Sequence, residues 1–281
     1  MRDTVASDFI PTCPSAHILG VKVSAVNMED VIDFAEQAIA GRSPCYICVA
    51  SVHGIMEAQK DPELRRIFNN AFLSVPDGMP LSWVGWLQGH LQMDRVFGPD
   101  LMARLCAASP PKGYRHFLYG GKPGVARQLL ACLEQRFPGL QVVGTYTPPF
   151  RPLTGAEEEQ LLAEVQAAQP DVLWVGISSP KQERFMAKYI GRLHVPLMVG
   201  VGAAFDFHTG RIRDCAPWIK RAGLQWMHRL LQDPRRLWRR YFYCVPAFLW
   251  RIGWQLAGLS RSSNRGCGTM NEPPHRAEVR S

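Results

Sequence analysis

The chain has 281 residues, 47% of them hydrophobic, so it can bury a substantial core and is not a disordered protein. Its 32 Lys and Arg residues exceed its 24 Asp and Glu residues, giving a formal net charge of +8. This excess favours anionic partners such as phosphorylated ligands, acidic lipids or nucleic acid, without choosing among them.

The N-terminal part of the chain predicts a short extension followed by regular structure. Residues 1–17 lack the long apolar run of a secretory signal, so we expect none. "HILGVKVSAV" predicts a strand or a short hairpin. Asn27, with Asp30 three residues later, predicts a capped start for the helix "MEDVIDFAEQAIAG".

The segment "CYICVAS" predicts an apolar strand that contains Cys45 and Cys48. Among eight cysteines no second pair completes a zinc site, and no His pair has ligand spacing on one helix, so no metal is expected. We interpret the cysteines as free thiols of a reducing compartment. A buried structural role for this pair is favoured over a redox role.

A carboxylate follows the next strand. "GIMEAQKDPELRRIFNNA" predicts helix that restarts at Asp61-Pro62, and the strand "FLSV" then leads to Asp77 in "SVPDGMPLSW". Pro-Asp-Gly is a favoured turn for purely local reasons. Alternatively, Gly78 frees the backbone so that Asp77 is presented to a cleft as an acid or base. Both interpretations are open at this point.

A second series alternates strands with helices, beginning after the helix "GPDLMARLCAAS". The strands are "RHFLYG", "QVVGTY", "DVLWVGI" and "PLMVGVG", and the helices are "VARQLLACLEQRF", "TGAEEEQLLAEVQAAQ" and "KQERFMAKYIGRL". This order predicts an α/β fold, with Rossmann-like parallel strands flanked by helices on both faces. Ligands of such sheets bind beyond the carboxyl ends of the strands. The loops there are residues 51–53, 76–78, 120–124, 146–150, 178–183 and 202–206.

Two of these loops carry polar candidates. Gln182 and Glu183 lie in the first turn of a helix, where an amide side chain could bind a diphosphate or sugar hydroxyls. Ordinary helix capping by Ser178 or Ser179 is the alternative. Asp206 follows another strand and could accept from a ribose hydroxyl or a base N–H. His53, His116 and His208 also lie near these loops. A structural role is more typical of such histidines than a catalytic role.

The last third of the chain changes character. Residues 218–256 interleave Arg and Lys with aromatic residues and Leu, and include a single acidic residue, Asp233. This composition suits a membrane interface or a nucleic-acid backbone. Residues 241–259 nearly reach spanning length, but Arg251 and Pro246 interrupt the run, which favours a helix lying on the membrane surface. A face packed partly on its own domain is the alternative.

Several motifs together resemble one family. "EAQKDPELRRIFNNAFLSVPDGMPLSW", "DRVFGPDLM", "GISSPKQERFM" and "VGVGAAFDFHTGRIRDCAPWIKRAGLQWMHRLLQDPRRLWRRY" resemble, in order and spacing, the WecG/TagA/CpsF glycosyltransferases over roughly residues 18–256. The resemblance implies an α/β core and a basic, aromatic, helical C-terminal appendage that docks on anionic lipid. We therefore expect an N-terminal extension (1–17), a core (18–217), an appendage (218–259) and a disordered tail (260–281).

The resemblance also implies a function. It is the inverting, metal-independent transfer of a hexose, N-acetylhexosamine or hexuronic acid from a UDP-sugar to a polyprenyl-diphosphate-linked acceptor of surface polysaccharide biosynthesis. The protein would be peripheral on the cytoplasmic face of the inner membrane, with no cofactor and no nucleic-acid partner.

Roles for individual residues follow from the same resemblance. Asp77 matches the aspartate proposed as general base, and Arg95 an arginine near the diphosphate. Gln182 matches a glutamine that contacts the nucleotide sugar, Asp206 an aspartate that reads the uracil, and Arg229 a cation that closes over the diphosphate. Tyr146 or Phe150 is expected to stack on the base. The remaining residues expected to bind substrate are Ser51, His53, Gly78, Gly98, Glu183 and Gly202.

Three positions depart from the family pattern. Val49-Ala50-Ser51 replaces Thr-x-Asn, which alters the contact expected to position the donor sugar, and His53 is a candidate to line that pocket instead. Cys215-Ala216-Pro217 replaces Arg-Ala-Pro, and Leu224-Gln225-Trp226 replaces Leu-Glu-Trp, each with loss of a charge.

Two other classes remain as alternatives. An NAD-dependent oxidoreductase is suggested by the order of strand, Gly-rich loop and helix at "YGGKPG", although G-x-G-x-x-G is missing. A nucleic-acid-binding protein is suggested by the basic aromatic segment.

Overall fold

A computed structural model describes residues 13–258, except the side chains of Pro217, Arg236, Arg239 and Arg240. The predicted extension lies outside the described residues up to residue 12, and the predicted tail 260–281 lies outside them entirely.

The described chain begins with a hairpin. Strands β1 (Ser15–Ile18) and β2 (Val21–Ser24) pair antiparallel around a turn at Leu19 and Gly20, both with positive φ. The predicted capping pair is confirmed. The Asn27 side chain accepts from the Asp30 backbone N–H, and the Asp30 carboxylate accepts from the Asn27 backbone N–H. Helix α1 (Met28–Gly41) starts from this box.

A six-stranded sheet forms the centre of the fold. Its strands are β3 (Cys45–Ala50), β4 (Leu73–Pro76), β5 (Arg115–Gly120), β6 (Gln141–Tyr146), β7 (Val172–Gly176) and β8 (Leu197–Gly200). Their order across the sheet is β4-β3-β8-β7-β5-β6, and every neighbouring pair is parallel. The predicted α/β fold is therefore confirmed.

Helices connect and cover these strands. They are α2 (Val52–Glu57), α3 (Pro62–Asn69), α4 (Met79–Leu87), α5 (Gly98–Ala108), α6 (Val125–Arg136), α7 (Gly155–Ala168), α8 (Lys181–Tyr189), α9 (Ala204–His208), α10 (Pro217–Arg221), α11 (Gln225–Gln232) and α12 (Pro234–Leu256). The predicted restart at Asp61 is confirmed, because its side chain caps α3 by accepting from the backbone N–H groups of Glu63 and Leu64. Helix α4, directly after Gly78, was not predicted.

Two apolar clusters cover the two faces of the sheet. One includes Ile55 and Met56 of α2, and the other includes Ala204 and Phe205 of α9. Strands β3 and β8 are neighbours, yet the helices that follow them pack on opposite faces. The connections therefore diverge beyond the carboxyl ends of β3 and β8, and parallel sheets bind ligands at a topological switch point of this kind.

Helix α12 packs on the core along one face. Phe248 and Ile252 are buried in the same apolar cluster as Ile55 and Met56 of α2. At the far end, the Gln255 amide accepts from the Leu19 backbone N–H at 2.8 Å and donates to the His17 carbonyl at 2.6 Å. The opposite face of α12 exposes Phe242, Tyr243, Leu249, Trp250 and Trp254. Within residues 13–258, no helix is both long enough and apolar enough to traverse a bilayer.

Candidate active site

Asp77 lies immediately after β4, where its backbone is fixed from two sides. Its N–H donates to the carbonyl of Ala50 at the end of β3, at 2.9 Å. Its own carbonyl accepts from Nε of Arg95 at 3.1 Å. The acid thus lies at the carboxyl-end edge of the sheet, beside Ser51, as the strand pattern predicted.

Arg95 belongs to a loop that runs alongside β4. The N–H of Val96 donates to the carbonyl of Pro76 at 2.7 Å, which holds this loop next to Asp77. The Arg95 guanidinium lies over the ring of Phe97, 4.3 Å from its centroid. Phe97 in turn packs edge-on against Phe207 of α9, with 5.2 Å between ring centroids.

Two further cations reach the same aromatic pair. Nζ of Lys220 lies 5.4 Å from the centroid of Phe97, and Cζ of Arg229 lies 5.3 Å from that of Phe207. We call Arg95, Lys220 and Arg229 the cation cluster. Lys220 also forms ion pairs with Asp214 at 2.5 Å and Asp100 at 3.8 Å. Cations held over ring faces at the carboxyl-end edge of a parallel sheet favour an anionic ligand.

Gln182 and Glu183 are buried beneath the edge of the sheet. The amide oxygen of Gln182 accepts from the N–H of Gly202 at 2.9 Å, and its amide nitrogen donates to the Glu183 carboxylate at 3.1 Å. Gly202 has a φ of +57°, in the left-handed region that favours glycine. In this arrangement Gln182 ties the loop after β7 to the loop after β8.

The remaining candidates lie at the starts of α2 and α5 and in α9. The Ser51 hydroxyl accepts from the N–H of Gly54 at 3.2 Å and so caps α2, which places His53 in the first turn. Gly98 starts α5 so close to β8 that an added Cβ would lie 3.0 Å from the carbonyl of Val201. Asp206 is in α9, directly before Phe207.

Tyr146 and Phe150 lie elsewhere. Tyr146 ends β6, and its ring stacks on Tyr119 at 5.7 Å with a 6° interplanar angle. Strands β4 and β6 occupy opposite edges of the sheet, five spacings of about 4.8 Å apart, so about 24 Å separates them. Phe150 is 81% exposed. Arg95, Phe97 and Phe207 thus connect Asp77 to α9, whereas Tyr146 lies at the opposite edge of the sheet.

Two residues of this site were not recognised as site residues from the sequence. Lys220 is one of many basic residues in its segment, so no sequence signal distinguishes it, and only the tertiary contact with Phe97 does. Gln225 was noted as a departure from the family pattern, and its amide oxygen accepts a hydrogen bond from Nη2 of Arg95.

Burial shifts the pKa values of two thiols, Cys45 and Cys48, and of His208. It raises the pKa of Cys45 to about 12 and raises the pKa of Cys48, so both stay protonated, consistent with the structural role predicted for them. Burial lowers the pKa of His208, whose Nε2 lies 3.0 Å from the carbonyl of Pro99.

An acid and several cations at the switch point of a parallel sheet are typical of one class of protein, an α/β enzyme that binds an anionic ligand. The chain belongs to the WecG/TagA/CpsF family of glycosyl transferases, whose model matches residues 16–262. This membership confirms the resemblance inferred from the motifs and argues against the oxidoreductase and nucleic-acid-binding alternatives.

Two curated relatives of this chain come from bacilli. A protein of Bacillus spizizenii (strain W23) is 29% identical over 204 residues, which cover 73% of this chain and 77% of the relative. A protein of Bacillus subtilis (strain 168) is 25% identical over 216 residues, covering 76% and 82%. Both are named N-acetylglucosaminyldiphosphoundecaprenol N-acetyl-beta-D-mannosaminyltransferase.

Proposed function

We propose that the protein is an inverting, metal-independent glycosyltransferase of surface polysaccharide biosynthesis. It moves an N-acetylhexosamine or another hexose unit from a UDP-sugar to a polyprenyl-diphosphate-linked acceptor at the cytoplasmic face of the membrane. The observation that carries this proposal is the contact between Asp77 and Arg95 at the sheet edge, in a chain of this family.

Asp77 acts as the general base. As the acceptor hydroxyl oxygen forms its bond to the anomeric carbon, the Asp77 carboxylate takes the hydroxyl proton. The bond between that carbon and the UDP oxygen breaks on the opposite face, and its electron pair leaves with the diphosphate. A single displacement of this kind inverts the anomeric configuration.

The cation cluster stabilises the leaving group. Negative charge grows on the diphosphate as the bond breaks, and preorganised cations aimed at developing charge lower the barrier. Arg95 is held in place by the Asp77 carbonyl and the Phe97 ring. Arg229 approaches from α11, so catalysis depends on the seating of the C-terminal helices.

The acceptor brings the enzyme to the membrane. The relatives' names specify an undecaprenol-linked acceptor, and a lipid-linked substrate of that kind resides in a bilayer. In this chain the outer faces of α11 and α12 expose Trp226, Trp250 and Trp254 among many basic residues. Aromatic and basic side chains together anchor a protein at the headgroup region.

A product assay tests the proposal. Purified full-length protein is incubated with a panel of UDP-hexoses, starting with UDP-N-acetylmannosamine, and a short polyprenyl-diphosphate-N-acetylglucosamine. We expect a product heavier by one sugar, formed equally with and without EDTA, with an anomeric configuration opposite to that of the donor. No product from any UDP-sugar, or a retained configuration, would contradict the proposal.

A further inference from the structure

The side-chain amide of Gln225 contains a buried donor, its nitrogen. Arginine has only donors, so the side-chain atom of Gln225 that meets Nη2 of Arg95 must be its oxygen. This contact fixes the orientation of the amide. Nε2 is buried, and no residue that the structure describes accepts from it.

A buried N–H group without an acceptor costs free energy. In native proteins such a group is typically explained by a function, such as catalysis or the binding of an ion. The Gln225 residue as a whole is only partly buried, so it lies close to the protein surface. The side-chain nitrogen of Gln225 therefore has the position of a ligand-binding donor near the surface, and Gln225 is not a fully buried core residue.

The surroundings define the chemistry of the ligand. Nε2 shares a carbon with the oxygen that meets Arg95, so an acceptor at Nε2 also lies beside the guanidinium. Gln225 and Arg229 are four residues apart on α11 and therefore share one face of the helix. An acceptor flanked by both arginines is an oxyanion with several oxygens.

We propose that the side-chain amide of Gln225 binds the diphosphate of the sugar donor, with its oxygen orienting Arg95 and its nitrogen donating to a diphosphate oxygen. This inference rests on the proposed function and adds a diphosphate-binding residue to it. The glutamine also keeps the positive charge of Arg95 available, whereas a glutamate at this position would neutralise it.

The test compares two substitutions at this position. Gln225→Glu keeps an oxygen for Arg95 but removes the donor and adds a negative charge. Gln225→Met removes both polar atoms without adding charge. On the same helix, Gln232→Glu serves as the matched control, because the Gln232 amide is exposed and bonds to the backbone of Arg213.

Calorimetric binding of UDP and of uridine is measured for full-length wild type and each variant. We expect Gln225→Glu and Gln225→Met to weaken UDP binding about 10- to 100-fold, the range for a hydrogen bond to a charged group. Uridine, which has no diphosphate, should bind all the proteins equally. Gln232→Glu should match wild type for both ligands.

Each other outcome has a definite meaning. If wild type binds UDP and both Gln225 variants match it within twofold, the inference is wrong while the proposed function stands. Equal losses of UDP and uridine affinity show a merely structural role, which also overturns the inference. If wild type binds no UDP at all, the proposed function fails and the inference fails with it.

Discussion

The two halves of the sheet edge use aromatic rings in different ways. Beyond β4 and β8, the rings of Phe97 and Phe207 hold arginine and lysine side chains beside an acid. In β5 and β6, near their carboxyl ends, the rings of Tyr119 and Tyr146 stack on each other, and Tyr119 stacks further on Phe185 at 4.1 Å. In the first half the two rings pack edge-on and also hold cations, whereas Tyr119, Tyr146 and Phe185 of the second half stack on one another.

This difference separates binding from packing. A cation over a ring keeps donors that can serve a ligand, whereas stacked rings satisfy one another and stabilise the fold. We therefore expect substitutions around β4, β3 and β8 to change catalysis and ligand binding, and substitutions in β7, β5 and β6 to change stability or to change little. Four measurements test this division, from the largest expected effect to the smallest.

Removing the base should have the largest effect. Asp77→Asn keeps the size of the side chain but cannot take the acceptor proton, so we expect kcat to fall about 10²- to 10⁴-fold. UDP binding and thermal stability should change little, because the backbone of Asp77 makes the contacts that hold this loop. Steady-state kinetics and calorimetry measure both. Asp33→Asn on the exposed side of α1 is the control, and full activity of Asp77→Asn would remove this residue from the mechanism.

Low pH should lower the free energy of unfolding through His116, which lies in β5. Burial lowers the pKa of this histidine to about 4, and its Nδ1 accepts from the Trp174 indole N–H at 3.0 Å while its Nε2 lies 2.9 Å from the Ser109 hydroxyl. The unfolded state binds a proton near pH 6.5 and the folded state near pH 4. The free energy of unfolding should therefore fall between these values as the pH is lowered, by about 3 kcal/mol in full.

Denaturant titrations from pH 7 to pH 4 measure this loss. His116→Gln should be less stable at pH 7 and should lose the part of the pH dependence that His116 causes, while the part caused by His208, whose pKa burial also lowers, remains. His17→Gln, at an exposed position, should keep it. An unchanged pH dependence in His116→Gln would show that other groups cause it.

The strands were predictable from the sequence, whereas their order was not. Apolar runs such as "CYICVAS" and capping residues such as Asn27 act locally, so the sequence pattern shows them directly. Strand order depends on which distant segments pair. Residues 45–50 lie beside residues 197–200, and no local pattern encodes that pairing. The same limit explains why the position of Asp77 at the end of a strand was predictable, whereas the contact between Lys220 and Phe97 was not.

Helix α12 also has one aromatic face that packs on the core and one that is exposed. Trp250 is 68% exposed on the outer face, whereas Phe248 is buried on the inner one. We expect Trp250→Ser with Trp254→Ser to weaken binding to anionic vesicles on the order of tenfold without loss of stability. Vesicle sedimentation and thermal unfolding measure the two effects. The aromatic control is Phe150→Ser, at the other edge of the sheet, which should bind vesicles like wild type, and equal losses in both proteins would contradict a specific docking face.

The smallest effect is expected at Tyr146, which the resemblance assigned to base stacking. Its ring lies on Tyr119 about 24 Å from β4, so a ligand whose diphosphate lies at Arg95 cannot bring its uracil there. A nucleoside diphosphate spans roughly half that distance by the bond lengths of its chain. We therefore expect Tyr146→Phe and Tyr146→Leu to bind UDP within about twofold of wild type, with Tyr146→Leu slightly less stable because it loses a stacked pair worth about 1 kcal/mol. A tenfold loss of UDP affinity in Tyr146→Leu, with uridine affected equally, would instead place the base at β6 and would require the diphosphate to lie away from the cation cluster.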